Sequence, residues 1–478
     1  MQSVSNKHHA ATGNWRPAFH LSPPQGLLND PNGLVYFAGR YHVFFQWNPN
    51  ACTHGAKSWG HASSPDLLNW TLHPPALQPG ERYDSHGCYS GSAWVMDERP
   101  WLIYTGNVRD GEVRHSYQCL AVSDDGIHFT KLGPTLEQPP AGYTSHFRDP
   151  RLWREWDGFH LVLGAQRNNG SGTVLHFHSP TLEKWTLRGE LLPGSNNGYM
   201  CECPDLLTLQ DRQLLLFCPQ GQAGTGWPWP NANASCYTSR PQDSAVFDLP
   251  QALDYGPDFY APQTLHGPHG EHILWGWMGK PEQPDTPSVA DGWSHCLSAP
   301  RLLSWHDGEL SQQPHPALQA LRGEGLLLTN QAIHGNWQHS AVHGECAELQ
   351  LSLHSEDASA CHLVLRQGQH CHTRLSWLPA TAELVLDTRH SGSAQGRISR
   401  APLPAGNRLQ LHLLLDRSTL EIFAADGTVV MSACIFPDAD AQGIGLQAEG
   451  DIHIEQLAFW PLSAMPVRMA ASGESLTA

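Results

Sequence analysis

Apolar and polar positions alternate along this chain in short runs, and Gly, Pro, Asn or Asp closes nearly every run. "GLVYFAGRYHVFFQ" (33–46) and "FHLVLGA" (159–165) are typical. Period-two alternation rich in aromatic and β-branched residues predicts strands joined by tight turns. Helical spacing is sparse; "HPALQALRGEG" (315–325) reads as a short helical connector.

The alternation repeats on a larger scale. A polar or Pro-containing segment leads into a strand, a turn, and a second, strongly apolar strand. Copies begin at Asp30, Ser90, Asp149, Glu202 and Tyr260. A second element recurs out of phase, as "SSPDLLNW" (63–70), "SDDGIHFT" (123–130) and "SPTLEKWT" (179–186). Both phases keep a period of about 60 residues, the size of a β-propeller blade. The expectation is an all-β protein with a five-bladed β-propeller over residues 15–305. After it come a connector with a short helix (306–340), a β-sandwich (341–465) and a flexible tail (466–478). In the sandwich region Asp426-Gly427 separates two β-rich runs and marks a hairpin.

In a propeller the first strand of each blade lines the central channel. The repeat starts therefore converge, and three of them are the carboxylates Asp30, Asp149 and Glu202, with Ser90 and Tyr260 beside them. Three acids at one cavity mouth are too costly electrostatically for a packing accident. Hydrolysis of a glycosidic bond uses such a set: one ionised carboxylate attacks, and a protonated one supplies the leaving oxygen with a proton. Crowding of like charges separates their pKa values and makes both roles available near neutrality. Trp47, Trp59, Trp153, Trp275, Trp277 and Trp293 are candidate sugar platforms, and Asn29, Gln46 and Arg148 candidate hydrogen-bond donors.

Composition narrows the partners. The 478 residues carry 28 basic and 45 acidic side chains, a net charge of −17. That argues against nucleic acid or an anionic membrane and leaves room for a small anion held by a local patch. No apolar run is long enough to span a bilayer, and the N-terminus has no export signal, so a cytoplasmic protein is expected. The 12 cysteines follow no short repeated spacing and read as reduced thiols, with Cys203 a buried neighbour of the acid. "CHLVLRQGQHCH" (361–372) alternates like a strand and its turn, so no metal is expected there, and no cofactor is implied.

The motifs together resemble glycoside hydrolase family 32, the invertase and sucrose-6-phosphate hydrolase family. "LLNDPNG" (27–33), "FRDP" (147–150) and "CECPDL" (201–206) resemble its three acidic motifs. "SGSA" (90–93), "WGHASSPDLLNW" (59–70), "DFYAPQ" (258–263) and "GWMG" (276–279) follow in the family's order. "LDRSTLEIFAADG" (415–427) resembles its C-terminal sandwich. The resemblance implies Asp30 as the nucleophile of a retaining reaction through a covalent fructosyl-enzyme. It implies Glu202 as acid and then base, and Asp149 as transition-state stabiliser, oriented by Arg148. Asn29, Gln46, Trp59, Ser90, Tyr260 and Trp277 match positions around the fructosyl ring. Two departures stand out: Leu27-Leu28 where the family often has Trp-Met, and Cys201 where it usually has Trp beside the acid.

"HGAKSW" (54–59) resembles the phosphorylated-sucrose branch, with Lys57 and His54 as candidate phosphate or leaving-group contacts. The expected substrate is sucrose 6-phosphate, sucrose, or both, with no nucleic-acid or membrane partner and a monomeric or homodimeric state. A fructosyltransferase or a fructan hydrolase would use the same triad, and a non-catalytic sugar-binding propeller would not need all three acids.

Overall fold

The chain folds almost entirely as antiparallel sheet, in a β-propeller-like arrangement followed by a β-sandwich-like sheet. This computed structural model describes residues 14–471, apart from 193, 195–196, 223–231 and 283–284. Helix among these residues is limited to short 3-10 turns such as Pro287–Asp291 and Pro316–Leu321. No described helix is long and apolar enough to cross a membrane.

The first sheet contains Gly26–Phe37, Arg40–Asn48, Ser58–Ser64 and Trp70–Leu77, and the second Cys88–Met96, Arg99–Asp110, Val113–Ser123 and Phe129–Leu136. A third runs Tyr143–Glu155, Gly158–Arg167, Gly172–Ser179 and Thr186–Glu190, and a fourth Met200–Leu209, Arg212–Gln220, Cys236–Pro241 and Gln251–Ala252. Another is built on Tyr260–His266, His272–Met278, Arg301–His306 and Glu309–Pro314. The first strands of successive sheets pack on one another, and Tyr260–His266 packs back on Gly26–Phe37. Trp293–Ser294 adds in parallel to Gly26–Leu27 and ties the later chain to the first sheet.

The out-of-phase repeat has a local cause. In the first sheet Asp66 Oδ1 accepts the N–H groups of Leu68 and Asn69, at 2.9 and 2.8 Å. In the second, Asp125 Oδ1 accepts those of Ile127 and His128 at 2.9 and 2.8 Å. A short acidic side chain thus closes the turn between third and fourth strands. Apolar side chains fill the wedges between sheets, as where Phe44, Trp59 and Ala76 meet Leu102 and Tyr104.

In the C-terminal region the long strands Leu326–His343 and Gly443–Pro461 pair along most of their length. One half of Gly443–Pro461 also pairs with Cys346–Ser355 and the other with Ala360–Gln367. A single strand thereby serves two faces. Leu349, Leu351, Leu411, Leu413, Ile422 and Met431 fill the space between them. Asp426-Gly427 lies in the turn of the hairpin Thr419–Ala424/Val429–Cys434.

Segments expected to link or trail are ordered. Arg301–His306 and Glu309–Pro314 form a hairpin that extends sheet structure past residue 305. Its turn residues Asp307 and Gly308 both have positive φ, 52° and 87°, the two-residue turn that suits twisted strands. Only the 3-10 turn Pro316–Leu321 and its flanks remain as connector, because Leu326–His343 is a strand. At the tail, Val467–Met469 pairs in parallel with Trp70–Leu72, so the loose segment expected from 466 is ordered through that strand. Residues 472–478 of that expectation lie outside the described residues.

Candidate active site

The innermost strands share one irregularity. Their ladders slip between Leu28 and Pro31, Tyr89 and Gly91, Arg148 and Arg151, Glu202 and Asp205, and Tyr260 and Gln263. A bulge turns side chains out of the sheet's alternation and aims them at the axis. In the last three strands the residue at the slip is left-handed: Asp149 at φ 65°, Cys203 at 48°, Ala261 at 50°. A proline follows each one (Pro150, Pro204, Pro262), which has no N–H to offer a ladder. Left-handed backbone at a residue other than glycine costs on the order of 1–3 kcal/mol and concentrates at functional sites.

The register also corrects the repeat alignment. Arg148, Glu202 and Tyr260 are equivalent, each the last paired residue before its bulge, and Asp149 is equivalent to Cys203. The acids come from three successive positions of the repeat: Glu202 is the last paired residue, Asp149 the first residue of its bulge and Asp30 the second.

These side chains line a cavity of about 550 Å³. Asn29, Asp30, Gln46, His54, Lys57, Arg148, Asp149, Glu202, Tyr260 and Trp277 all reach it. Ser90 and Trp59 stand behind this lining. Ser90 donates its hydroxyl to Asp30 Oδ2 and accepts from Gln46 Nε2, and Trp59 Nε1 donates to Tyr89 O at 3.1 Å. Of the remaining candidate platforms, Trp275 and Trp293 are buried in apolar clusters. Trp153 stacks on His160 and His176, and Trp47 donates to Gln25 O at 2.7 Å. None of the four lines the cavity.

Asp30 is held by short donors. Asn29 Nδ2 lies 3.1 Å from Oδ1, and Asn29 also donates to Gln46 Oε1 at 3.2 Å. Burial pushes the Asp30 carboxyl up, as does nearby Glu202, while Ser90, Asn29 and Lys57 oppose the rise. Glu202 accepts from Arg148 Nη2 at 2.7 Å and Nε at 3.0 Å through Oε1, and from the Tyr260 hydroxyl at 2.8 Å through Oε2. Asp149 accepts the Cys203 N–H at 3.0 Å, and its own N–H donates to Thr105 Oγ1 at 3.0 Å. Burial drives its pKa up to about 7; Arg148 opposes this, and Glu202 and Asp30 add to it. The Cys203 thiol sits between two acids, 3.8 Å from Asp30 Oδ2 and 3.7 Å from Asp149 Oδ2. Burial and those acids raise its pKa well above the usual range, so it is a neutral donor, with no base positioned to activate it.

Lys57 and Cys201 are both buried. Lys57 is only 3% exposed, and its Nζ has no hydrogen-bond partner. Burial lowers its pKa to about 7 against the pull of Asp30. Cys201 points away from the cavity into the apolar cluster of Val162, Val174 and Phe217, and is no neighbour of the acid's oxygens. Asn107, Arg109, Arg114 and His86 line the cavity without having drawn notice in the sequence. The hairpin signal Asp110-Gly111 between the two arginines was the available clue.

Models of two protein-family domains match this chain: the glycosyl hydrolases family 32 N-terminal domain over residues 20–314, and the family 32 C-terminal domain over 317–461. The chain belongs to glycoside hydrolase family 32. This family 32 chain is 37% identical to the sucrose-6-phosphate hydrolase of Bacillus subtilis over 470 residues, 94% of each protein. Identity to a raffinose invertase of Escherichia coli is 36% over 475 residues, 97% of this chain and 98% of that one. Among solved structures, a sucrose-6-phosphate hydrolase from Lactobacillus gasseri superposes with a TM-score of 0.87 at 32% identity, covering 95% of both chains. A Bombyx mori GH32 β-fructofuranosidase, solved as a mutant in complex with sucrose, superposes at 0.82 with 31% identity, covering 96% of this chain and 95% of that one. The protein is therefore a glycoside hydrolase of the sucrose-6-phosphate hydrolase and invertase family, acting on β-fructosides of the sucrose type.

Proposed function

We propose that this hydrolase cleaves the fructosyl bond of sucrose 6-phosphate, and of sucrose, by double displacement with retention. The observation that carries the reading is that Asp30, Asp149 and Glu202 line one cavity with unequal surroundings. Asp30, steadied by Ser90 and Asn29, attacks the anomeric carbon as the glycosidic C–O bond breaks. Glu202 passes its proton to the leaving oxygen, leaving glucose or its phosphate free. Water then attacks the fructosyl-enzyme, Glu202 takes the water's proton, and the bond to Asp30 breaks. Arg148 and Tyr260 hold the two Glu202 oxygens in place for both proton transfers. Asp149 bonds fructosyl hydroxyls and stabilises positive charge on the ring. Asn29, Gln46 and Trp277 contact the sugar, while Ser90 and Trp59 position what does.

The innermost strands are read as the channel-lining strands of five blades. The propeller then ends near residue 315 and the sandwich begins near 326, with the 3-10 turn between them. A phosphorylated disaccharide is an intracellular substrate, which favours a cytoplasmic enzyme.

The test follows the first-formed fructose by NMR and measures turnover of Asp30→Asn. Initial release of the β-anomer and a fall in kcat of roughly 10⁴-fold are expected. Initial α-anomer, or near-normal turnover in the variant, would remove Asp30 as nucleophile. Glucose released in excess of fructose would show transfer to sugar in place of hydrolysis.

A further inference from the structure

The chain carries a net charge of −17, yet one wall of the cavity is cationic. From Glu202 outward runs a chain of basic groups. Arg148 Nη2 is 2.7 Å from Glu202 Oε1, and Arg148 Nη1 is 3.2 Å from His146 Nδ1. His146 Nδ1 is in turn 3.5 Å from Arg114 Nη1. Arginine can only donate, so His146 is the neutral acceptor between two guanidinium groups. Burial lowers its pKa to about 4, reinforced by Arg148 and Arg114.

Arg114 lies directly across the hairpin from Arg109, and both side chains line the cavity. Like charges facing each other across a strand pair destabilise it. Among the described residues neither arginine has a carboxylate oxygen within the 4.0 Å of an ion pair. Arg114 is depressed by burial and by Arg148, with Arg109 adding to the effect and Tyr89 and Glu202 opposing it. A repulsive pair with no carboxylate in ion-pair contact at the rim of a cavity is a fitted site for a dianion, and forked guanidinium groups suit phosphate oxygens.

Position decides which part of the substrate this site meets. The leaving oxygen must take its proton from Glu202, so the leaving sugar lies on the Glu202 side. The Arg148–His146–Arg114 chain starts there. Lys57 is only 3% exposed, whereas Arg109 stands exposed at the rim.

We propose that Arg114 and Arg109 form a phosphate-monoester subsite that reads the phosphorylated leaving sugar, and that Lys57 does not. This rests on the reading of a phosphorylated substrate given above.

The test compares kcat/KM for sucrose 6-phosphate and sucrose, and competitive inhibition by glucose 6-phosphate, in the native enzyme, Arg114→Gln, Arg109→Gln and Lys57→Met. The expected result is a native preference for the phosphorylated sugar that falls by about tenfold or more in each arginine variant, with glucose 6-phosphate inhibition weakened alike. Lys57→Met is expected to change both substrates by a similar factor, leaving the preference in place. A preference lost in Lys57→Met and kept in the arginine variants would overturn the subsite while sparing the phosphorylated-substrate reading. Equal native rates on both sugars would overturn both. Should an arginine variant fold poorly, Arg114→Lys keeps the charge and loses the fork. It is expected to retain sucrose cleavage and part of the preference, and an unchanged preference in it and in Arg109→Gln counts against the subsite.

Discussion

Two of the buried charge clusters among the described residues are built on opposite rules. One joins the N-terminal segment, the sheet ending at Pro314 and the C-terminal sheet. There His20 bridges Asp416 Oδ2 at 2.8 Å and Glu421 Oε1 at 2.9 Å, all of these side chains at 0% exposure. Arg301 donates to Glu421 at 2.6 and 2.9 Å and reaches Asp254 at 3.2 Å, sandwiched between the rings of Phe259 and Phe423. Backbone N–H groups of Ala18, Phe19 and Ala299 complete the acids' bonding. The other cluster is the cavity, where the Arg148 guanidinium pairs with Glu202 and Asp149, Asp30 relies on Ser90 and Asn29, and the buried lysine bonds to none of the three. Pairing that outweighs burial at Glu421 and His20 makes a joint between regions. Incomplete compensation beside a cavity leaves charge free to act on a substrate.

The largest expected effect on this contrast comes from Arg301→Met. It strands Asp254 without its cation and leaves Glu421 with His20 alone, and loss of one partner of a buried pair costs about 3–5 kcal/mol. Urea unfolding should show that loss, with kcat of the surviving folded enzyme close to native. A matching collapse of kcat would mean that the two clusters are coupled.

Asp149→Asn probes the other rule. The folded pKa of Asp149, about 7, stands above the ordinary 3.8 because burial opposes its charge. Folding therefore loses stability as pH rises from 3.8 through 7, and above that the penalty is complete. The amide removes that penalty. At pH 8 the variant should melt about 2 °C or more above native while losing on the order of 10³-fold in kcat. A lower Tm would show that the cavity acids are as well compensated as the joint.

The smallest effect is a pH dependence of the joint itself. Burial opposes the charge of His20, but its bonds to Asp416 and Glu421 outweigh it and raise the pKa from 6.5 to about 9. This contribution is fully present below pH 6.5 and is lost as pH rises through 9. Stability should fall by about 3 kcal/mol across that window, and His20→Gln should flatten the curve. A decline that persists unchanged in the variant would place the titration elsewhere.

Strand character, the repeat near 60 residues and the three acids were all legible from residue order. They are local properties: alternation, turn chemistry and Pro or Gly at fixed offsets. Trp153, Trp275 and Trp293 show the limit, since a tryptophan's apolar face reads the same in a core wedge and in a sugar site. Lys57 shows it too, because sequence offers a lysine near a tryptophan and says nothing of how deeply it is buried.

What the sequence determined by itself was the family and the set of groups from which a site is made, because motifs carry residue types in order. Tertiary structure alone decided where those groups meet. The bulges set Arg148, Glu202 and Tyr260 in one row and Asp149 with Cys203 in the next. The hairpin set Arg109 across from Arg114, and the joint gathered His20, Arg301 and Glu421 from distant parts of the chain. Distance and burial govern electrostatic energy, and neither is a property of residue order.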